Sequence, residues 1–319
     1  MPELKQFCVS DAQVAHAAEL IRQGKLVAFP TETVYGLGAN ALDPAAVERI
    51  YAAKGRPHTS PIIIHVSDLA MAKQIAAEWP GTAQRLAKRF WPGPLTLVLP
   101  KTSVVPDLVT AGLPTAGLRM PAHPIALTLV RAAGVAVAAP SANRFTEVSP
   151  TTAEHVRQSL GGRVDYILDG GPCEVGIEST VLSLADGAPR LLRPGGVSRQ
   201  QIEDEIGPVA SAEQVEGDEA HAAPGMHPRH YSPRTRLYLI ENGEVPRYGR
   251  GAYLQRGIPP RAASEVVVMP SDSAGYATQL YTVLRAVDAQ GYEWIAVDRP
   301  PDLPEWEAIL DRLRRAEFR

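Results

Sequence analysis

The stretch from Gly24 to Val66, GKLVAFPTETVYGLGANALDPAAVERIYAAKGRPHTSPIIIHV, constrains the fold more than any other part of the chain. Leu26 to Phe29 is an apolar run of strand length, ended by Pro30. Thr31, Glu32 and Thr33 then place two hydroxyls and a carboxylate just beyond the strand's carboxyl end, where open α/β sheets bind ligands. Asp43-Pro44 supplies an N-cap and a first-turn proline for a helix with Val47, Ile50 and Tyr51 on its apolar face. Ile62 to Ile64 reads as a second buried strand. Lys54 and Arg56 close the helix. Two cations there can simply complement the helix macrodipole. The polar turn before them and the small-residue loop through Ser60 after them point instead to an anion site.

With 319 residues the chain can form one large domain or two ordinary ones, and two are expected. A net charge of −3 gives no global attraction to nucleic acid or anionic membrane, so weak or no direct nucleic-acid binding is expected. Cys8 and Cys173 are too few for a disulfide framework or a thiolate metal cluster. MPELKQFCVSDAQ does not read as a secretory signal, and no apolar run reaches membrane-spanning length, so the expected setting is the reducing cytoplasm.

Ser10 and Gln13 have capping-box spacing ahead of a helix that Gly24 stops. Further helices are expected from Ser67 to Ala77, Thr82 to Phe90, His123 to Ala133 and onward from Ser149-Pro150-Thr151. Strands are expected over Leu95 to Leu99, Val135 to Ala139, Val164 to Leu168 and Gly176 to Val181. Trp91-Pro92-Gly93-Pro94 reads as turn punctuation. Arg119 sits in an otherwise apolar segment, where an arginine is more often half of a structural ion pair than a ligand. Pro140-Ser141-Ala142-Asn143 directly follows a strand, so its polar groups either make a plain turn or donate to a phosphate or base edge.

From Gly207 to about Arg234 the apolar periodicity vanishes, which predicts an exposed linker. His227, Arg229, His230 and Tyr231 make its second half denser than a spacer requires, but no carboxylate or cysteine stands at metal-ligand spacing and no metal site is expected. Beyond it, strands over Leu237 to Ile240, Ala252 to Leu254, Val266 to Val268 and Trp294 to Val297, with helices over Tyr276 to Ala289 and Pro304 to Arg315, outline a small α/β unit. It has no glycine-rich phosphate motif, so its layout alone implies no nucleotide.

Together these segments resemble the threonylcarbamoyl-AMP synthase (YrdC-like) family in its longer, two-domain form. The resemblance rests on PTETVYGLG from Pro30 to Gly38, Lys54-Gly55-Arg56-Pro57, Ser60-Pro61 ahead of His65, and WPGPLT from Trp91 to Thr96. It continues through Arg119-Met120-Pro121, Pro140 to Asn143, Glu178 to Val181 and Leu192 to Gly195, and Pro224-Gly225-Met226 with His230 to Pro233 matches the family's linker. It implies an α/β fold: a twisted mixed sheet with a concave cleft over 1–206, a linker or lid over 207–235, and a small Rossmann-like α/β domain over 236–319.

The resemblance also implies a nucleotidyltransferase reaction in which L-threonine, bicarbonate or CO2, and ATP yield threonylcarbamoyl-AMP and pyrophosphate. The product would serve adenosine 37 of tRNAs decoding ANN codons, through a downstream tRNA threonylcarbamoyl transferase complex. By the same resemblance Lys54 and Arg56 would be catalytic. Arg56, Ser60, Thr115, Ser141, Asn143, Ser149, Arg193 and Tyr231 would hold ATP, and Thr33, His65, Arg119, Ala139 and Ser179 would hold threonine. Mg2+ would come with ATP, held mainly by the phosphates. Two rivals remain. Hydrogenase-maturation carbamoyltransferases contain a similar module, but with zinc-finger cysteine pairs that two isolated cysteines cannot supply. An RNA-binding module with a basic concave surface is opposed by the net charge of −3 and the lack of interleaved aromatics.

Overall fold

The computed structural model describes residues 9–211, 231–241, 244–256 and 263–318; Cys8 and the expected linker features at 224–230 lie outside these residues. Local signals set the first elements. Ser10 caps helix α1 (Asp11–Arg22) in a reciprocal capping box with Gln13. Strands β1 (Val27–Phe29) and β2 (Gly36–Asn40) pair antiparallel, and Asp43 caps α2 (Pro44–Lys54), which ends at Gly55 in the left-handed conformation. Strand β2 was not expected, because GLGAN has no β-branched or aromatic residue to signal it. Its glycine answers a packing need: a Cβ on Gly38 would lie 2.6 Å from the Phe29 ring and 2.9 Å from Val137.

The chain continues through β3 (Ile64–His65), α3 (Leu69–Ile75), α4 (Gly81–Phe90), β4 (Leu95–Pro100), β5 (Thr115–Arg119), α5 (Pro124–Ala133) and β6 (Val137–Ala138). Next come α6 (Ala153–Leu160), β7 (Tyr166–Ile167), β8 (Thr180–Ser183), β9 (Arg190–Arg193), α7 (Arg199–Ile206) and β10 (Ala210–Ser211). The ten strands form one mixed sheet in the order β10-β9-β8-β4-β5-β3-β6-β2-β1-β7.

Several boundaries differ from expectation for identifiable reasons. The strand placed at Ile62 begins at Ile64, since the Ile62 amide bonds the Val109 carbonyl outside any ladder. Asp68 rather than Ser67 caps α3, and that helix stops at Ile75 because the Ala77 amide turns to the Pro100 carbonyl. Thr152, one residue past the expected Ser149-Pro150-Thr151 start, caps α6. The strand expected from Gly176 starts only at Thr180, and Glu178 and Ser179 instead line the cleft described below.

Alternation along the strands explains where that cleft lies. Leu97, Leu118, Ile64, Ala138 and Leu182 point to one face, which is the main core. On the opposite face, helices α1 and α5 cover only Val27, Phe29, Val137 and Ala139 at the β1–β6 half of the sheet. Over strands β3 to β9 the same face carries a small apolar patch of Ile63, Val98, Val181 and Leu192, with no helix of the larger unit packed on that patch among the described residues. His65 pairs in register with Arg119 on one side and Val137 on the other, so both polar side chains stand on this uncovered face.

The remaining elements form a smaller unit. Strands β11 (Arg236–Ile240), β12 (Gly251–Gln255), β13 (Glu265–Val268) and β14 (Trp294–Asp298) make a parallel sheet in the order β11-β14-β12-β13. Helices α8 (Ser273–Asp288) and α9 (Glu307–Ala316) pack on it through Leu280, Leu284, Ile309 and Leu313. That core runs without a break into Val34, Val148, Ile177 and Tyr231 beside the cleft. Among the described residues no helix is long and apolar enough to cross a membrane.

Candidate active site

The cleft encloses about 550 Å³, its open mouth included, and is lined by residues from both sequence halves of the larger unit together with Tyr231. Nine of the expected site residues meet on its wall: Thr33, Arg56, His65, Arg119, Ala139, Ser141, Ser179, Arg193 and Tyr231. It has two chemically distinct ends.

At one end Arg119, buried on β5, lies 2.7 Å from the Glu32 carboxylate and donates to the Thr33 hydroxyl at 3.0 Å and the Gly93 carbonyl at 3.3 Å. The ion pair expected as the bland alternative therefore exists, yet it stands on the cleft wall and orients the guanidinium there. The WPGP turn is more than punctuation, since its Gly93 carbonyl is one of the groups that fix Arg119. Hydroxyl bookkeeping sets the direction of the neighbouring bonds. Thr31 Oγ1 has one proton, which goes to the Val34 carbonyl at 2.6 Å, so in its 2.8 Å contact with Thr33 it accepts. The Thr33 oxygen thus gives away its proton and faces Arg119 as an acceptor. His65, 3 % exposed, has no hydrogen-bond partner on either ring nitrogen, and burial together with the Arg119 charge pushes its pKa down to about 3. It is a neutral imidazole at physiological pH.

At the other end stand two more buried guanidiniums. Arg56 donates to the Ser60 and Pro61 carbonyls and lies 5.7 Å from the Phe145 ring centroid; burial lowers its pKa to about 10, so it stays charged. Arg193, on β9, donates to the Ser179 carbonyl at 2.9 Å and the Ser179 hydroxyl at 3.2 Å, and its pKa too is lowered chiefly by burial. Glu178 is the sole acidic residue on the cleft wall, among the described residues. Burial works to raise its pKa, but Arg312 and Arg193, with the Ser149 hydroxyl, outweigh burial and hold it below the ordinary carboxylate value.

Five expected residues do not reach the wall. Lys54 is buried, and its ammonium donates to the carbonyls of Ser141 at 2.6 Å and Asn143 at 2.5 Å. Burial and the nearby Arg56 push its pKa well down, and the ammonium stands behind the wall on the Ser141–Asn143 loop. The Asn143 amide nitrogen is held by the Arg144 and Glu147 carbonyls, leaving its buried oxygen without a hydrogen-bond partner. Ser60 contributes its carbonyl to Arg56 and Tyr51. The Ser149 hydroxyl is taken by Glu178 at 2.6 Å, and Thr115 lines a small neighbouring cavity with Ile63, Thr96 and Gly117. Sequence reasoning missed the pairing of Glu32 with Arg119, of Phe145 with Arg56, and of Glu178 with Arg312. The two acids carried a signal, Glu32 at a strand's carboxyl end and Glu178 directly before Ser179.

No cluster of three or more potential metal ligands occurs among the described residues. The two carboxylates nearest the cleft, Glu32 and Glu178, are each committed to an arginine, so this donor set fits a metal carried in on a phosphate rather than one bound by side chains.

Comparison with known proteins decides the family. The Sua5_yciO_yrdC family model, described as telomere recombination, matches residues 19–195, and the threonylcarbamoyl-AMP synthase C-terminal domain model matches 197–317. The chain belongs to the Sua5/YrdC family, in the long form of threonylcarbamoyl-AMP synthases. A family member of that name from Bacillus subtilis is 43 % identical, over 98 % of this chain and 94 % of its own. The crystal structure of Pyrococcus abyssi Sua5 complexed with L-threonine matches at a TM-score of 0.90 and 41 % identity, covering 97 % of this chain and 95 % of that one. Escherichia coli YciO, 28 % identical with a TM-score of 0.53, covers 61 % of this chain and 95 % of its own. The mixed α/β fold expected from the resemblance, with its second parallel sheet, is thus the family's fold.

Proposed function

We propose that the protein makes threonylcarbamoyl-AMP from L-threonine, CO2 supplied as bicarbonate, and ATP, releasing pyrophosphate, and that it does so in the cytoplasm for modification of adenosine 37 in tRNA. The observation that carries this function is the pairing, within one cleft, of a fixed arginine fork beside hydroxyls with two further buried arginines, Arg56 and Arg193, on the same wall, where the charge of Glu178 is offset by Arg312 from behind. The first end suits an amino-acid carboxylate, which a guanidinium grips with two parallel bonds. The second suits a polyphosphate. A relative of near-identical fold complexed with L-threonine supports the first assignment.

The chemistry needs no strong nucleophile from the protein. Threonine's neutral amine adds to CO2, forming an N–C bond and releasing a proton to solvent. The resulting carbamate oxygen, already anionic, attacks the α-phosphorus; the bond to the bridging oxygen breaks and pyrophosphate leaves with both electrons. What the protein must supply is alignment and countercharge. In the proposal Arg119 and Thr33 hold threonine, His65, Ala139 and Ser179 complete its pocket, and Arg56, Arg193 and Ser141 face the phosphates. Lys54 holds the Ser141–Asn143 loop, Ser60 holds Arg56, and Thr115, Asn143 and Ser149 border the nucleotide from behind the wall. Mg2+ would neutralise phosphate charge while bound to the nucleotide. Tyr231, buried against this end, is the part of the linker that would close over ATP.

Pyrophosphate release, measured with ATP, threonine and bicarbonate each omitted in turn, tests the reaction. Release is expected only with all three present. Release that ignores threonine would overturn the assignment, and salt-sensitive binding of duplex RNA without turnover would favour the RNA-binding alternative.

A further inference from the structure

Glu178 is unusual among the residues of the wall because most of what holds it comes from the smaller unit. Ser149 donates to one oxygen at 2.6 Å; the Tyr281 hydroxyl on α8, at 2.9 Å, and Arg312 Nε on α9, at 2.8 Å, converge on the other. Arg312 is 1 % exposed, and its guanidinium lies 5.1 Å from the centroid of the Tyr231 ring. Tyr281 stacks on the same ring with centroids 5.9 Å apart. Two side chains of the smaller unit therefore touch both Glu178 and Tyr231, and both of those line the cleft with Arg193.

Stability alone does not call for such an arrangement, since a buried ion pair can be replaced by apolar residues of like volume with little loss. Its place in the molecule gives it another consequence. An uncompensated carboxylate at Glu178 would cancel much of the field of Arg193 and repel a phosphate chain, and at this depth the effect is weakly screened. Arg312 removes that penalty from behind the wall, where no ligand reaches it.

We propose that Arg312 and Tyr281 are positioning residues for the nucleotide: they neutralise and orient Glu178 and hold the Tyr231 ring, so the smaller unit sets affinity for ATP but not for threonine. This rests on the proposed synthase reaction and on ATP lying at the Arg193 end.

The test uses the full-length protein and steady-state pyrophosphate release with ATP and threonine varied separately. Arg312→Met should raise the KM for ATP at least about tenfold while that for threonine moves less than about twofold. Tyr281→Phe, which deletes one hydroxyl and keeps the stacked ring, should raise the KM for ATP by roughly threefold, and Arg312→Lys should recover part of the loss. Adding Glu178→Gln to Arg312→Met should restore ATP affinity, because no charge is left to neutralise. Should Arg312→Met fail to fold, Tyr281→Phe and Arg312→Lys decide. Equal shifts in both KM values, no shift in folded variants, or no relief from Glu178→Gln would overturn the inference. Titration with a fluorescent ATP analogue reads the same variants without turnover. A wild-type protein that releases pyrophosphate without threonine sinks the reaction, whereas normal turnover with unchanged ATP affinity in the variants sinks only this inference.

Discussion

At the Arg119 end, every polar group on the wall comes from the ten-stranded sheet or from turns that leave it, and Arg119 and His65 are set by backbone register. At the Arg193 end, the wall is finished by Tyr231 and braced by Tyr281 and Arg312 of the smaller unit. One end is fixed by the ladder of a sheet; the other is assembled across an interface. Pre-organisation by a sheet suits a small, rigid ligand such as an amino acid, and an assembled end suits a long, flexible one that must enter and whose product must leave.

The sharpest way to break this contrast is Arg119→Ala. Truncating one partner of a buried pair strands the other charge at about 3–5 kcal/mol. We expect kcat/KM for threonine to fall by at least about a hundredfold, with the KM for ATP little changed, in substrate-resolved kinetics. An equal loss toward ATP would show that the two ends are one functional unit. Next in size are Arg56→Ala and Lys54→Ala, each expected to cut turnover by at least about tenfold, or roughly 1.4 kcal/mol. They should differ in kind: with Lys54→Ala, hydrogen exchange in the 141–143 loop should rise, because its two carbonyls lose their donor, while Arg56→Ala leaves that loop protected.

A smaller effect concerns pH. His65 has a folded pKa of about 3, below its unfolded value near 6.5, so the unfolded chain binds the extra proton between these values. Its contribution is present in full above the unfolded pKa and declines as pH falls from about 6.5 toward about 3, by up to roughly 1.4 kcal/mol per unit. Urea unfolding at pH 7 and pH 5 should show this slope, and His65→Asn should flatten it; an unchanged slope would mean that the imidazole is charged in the fold. Smallest in its effect on the cleft is Gly38→Ala, whose Cβ would press on Phe29 and Val137 and cost about 1–3 kcal/mol in thermal unfolding. It should leave the ratio of the two KM values unchanged, since it loosens the sheet beneath the cleft without touching either end.

What could be read in the sequence followed the range of the forces involved. Helices α1 and α2 were legible because Ser10, Gln13, Asp43, Pro44 and Gly55 act within one turn of themselves. Strand β2 was not, since GLGAN is extended only by its partners on both sides, β1 and β6. Arg119 stands out in its apolar segment, but the local sequence favours a structural pair, and its acid, Glu32, lies on a different segment. For Lys54, its place beside Arg56 suggests a phosphate contact, and the fold adds the Ser141 and Asn143 carbonyls at its tip, which the sequence does not show. The dense surroundings of Tyr231 mark it in the sequence, whereas Tyr281 and Arg312 look like ordinary members of amphipathic helices until α8 and α9 dock.

The bond from Arg312 to Glu178 spans 134 residues, and that separation matters while the protein is being made. A ribosome adding roughly 5–20 residues per second needs on the order of ten seconds to pass from one to the other. Once Arg193 has followed Glu178 in synthesis, the segments that bear Thr33, Arg119 and Arg193 have all been made, but the Arg312 guanidinium that pairs with the Glu178 carboxylate has not. The brace behind Glu178 is therefore complete only when helix α9 has been made.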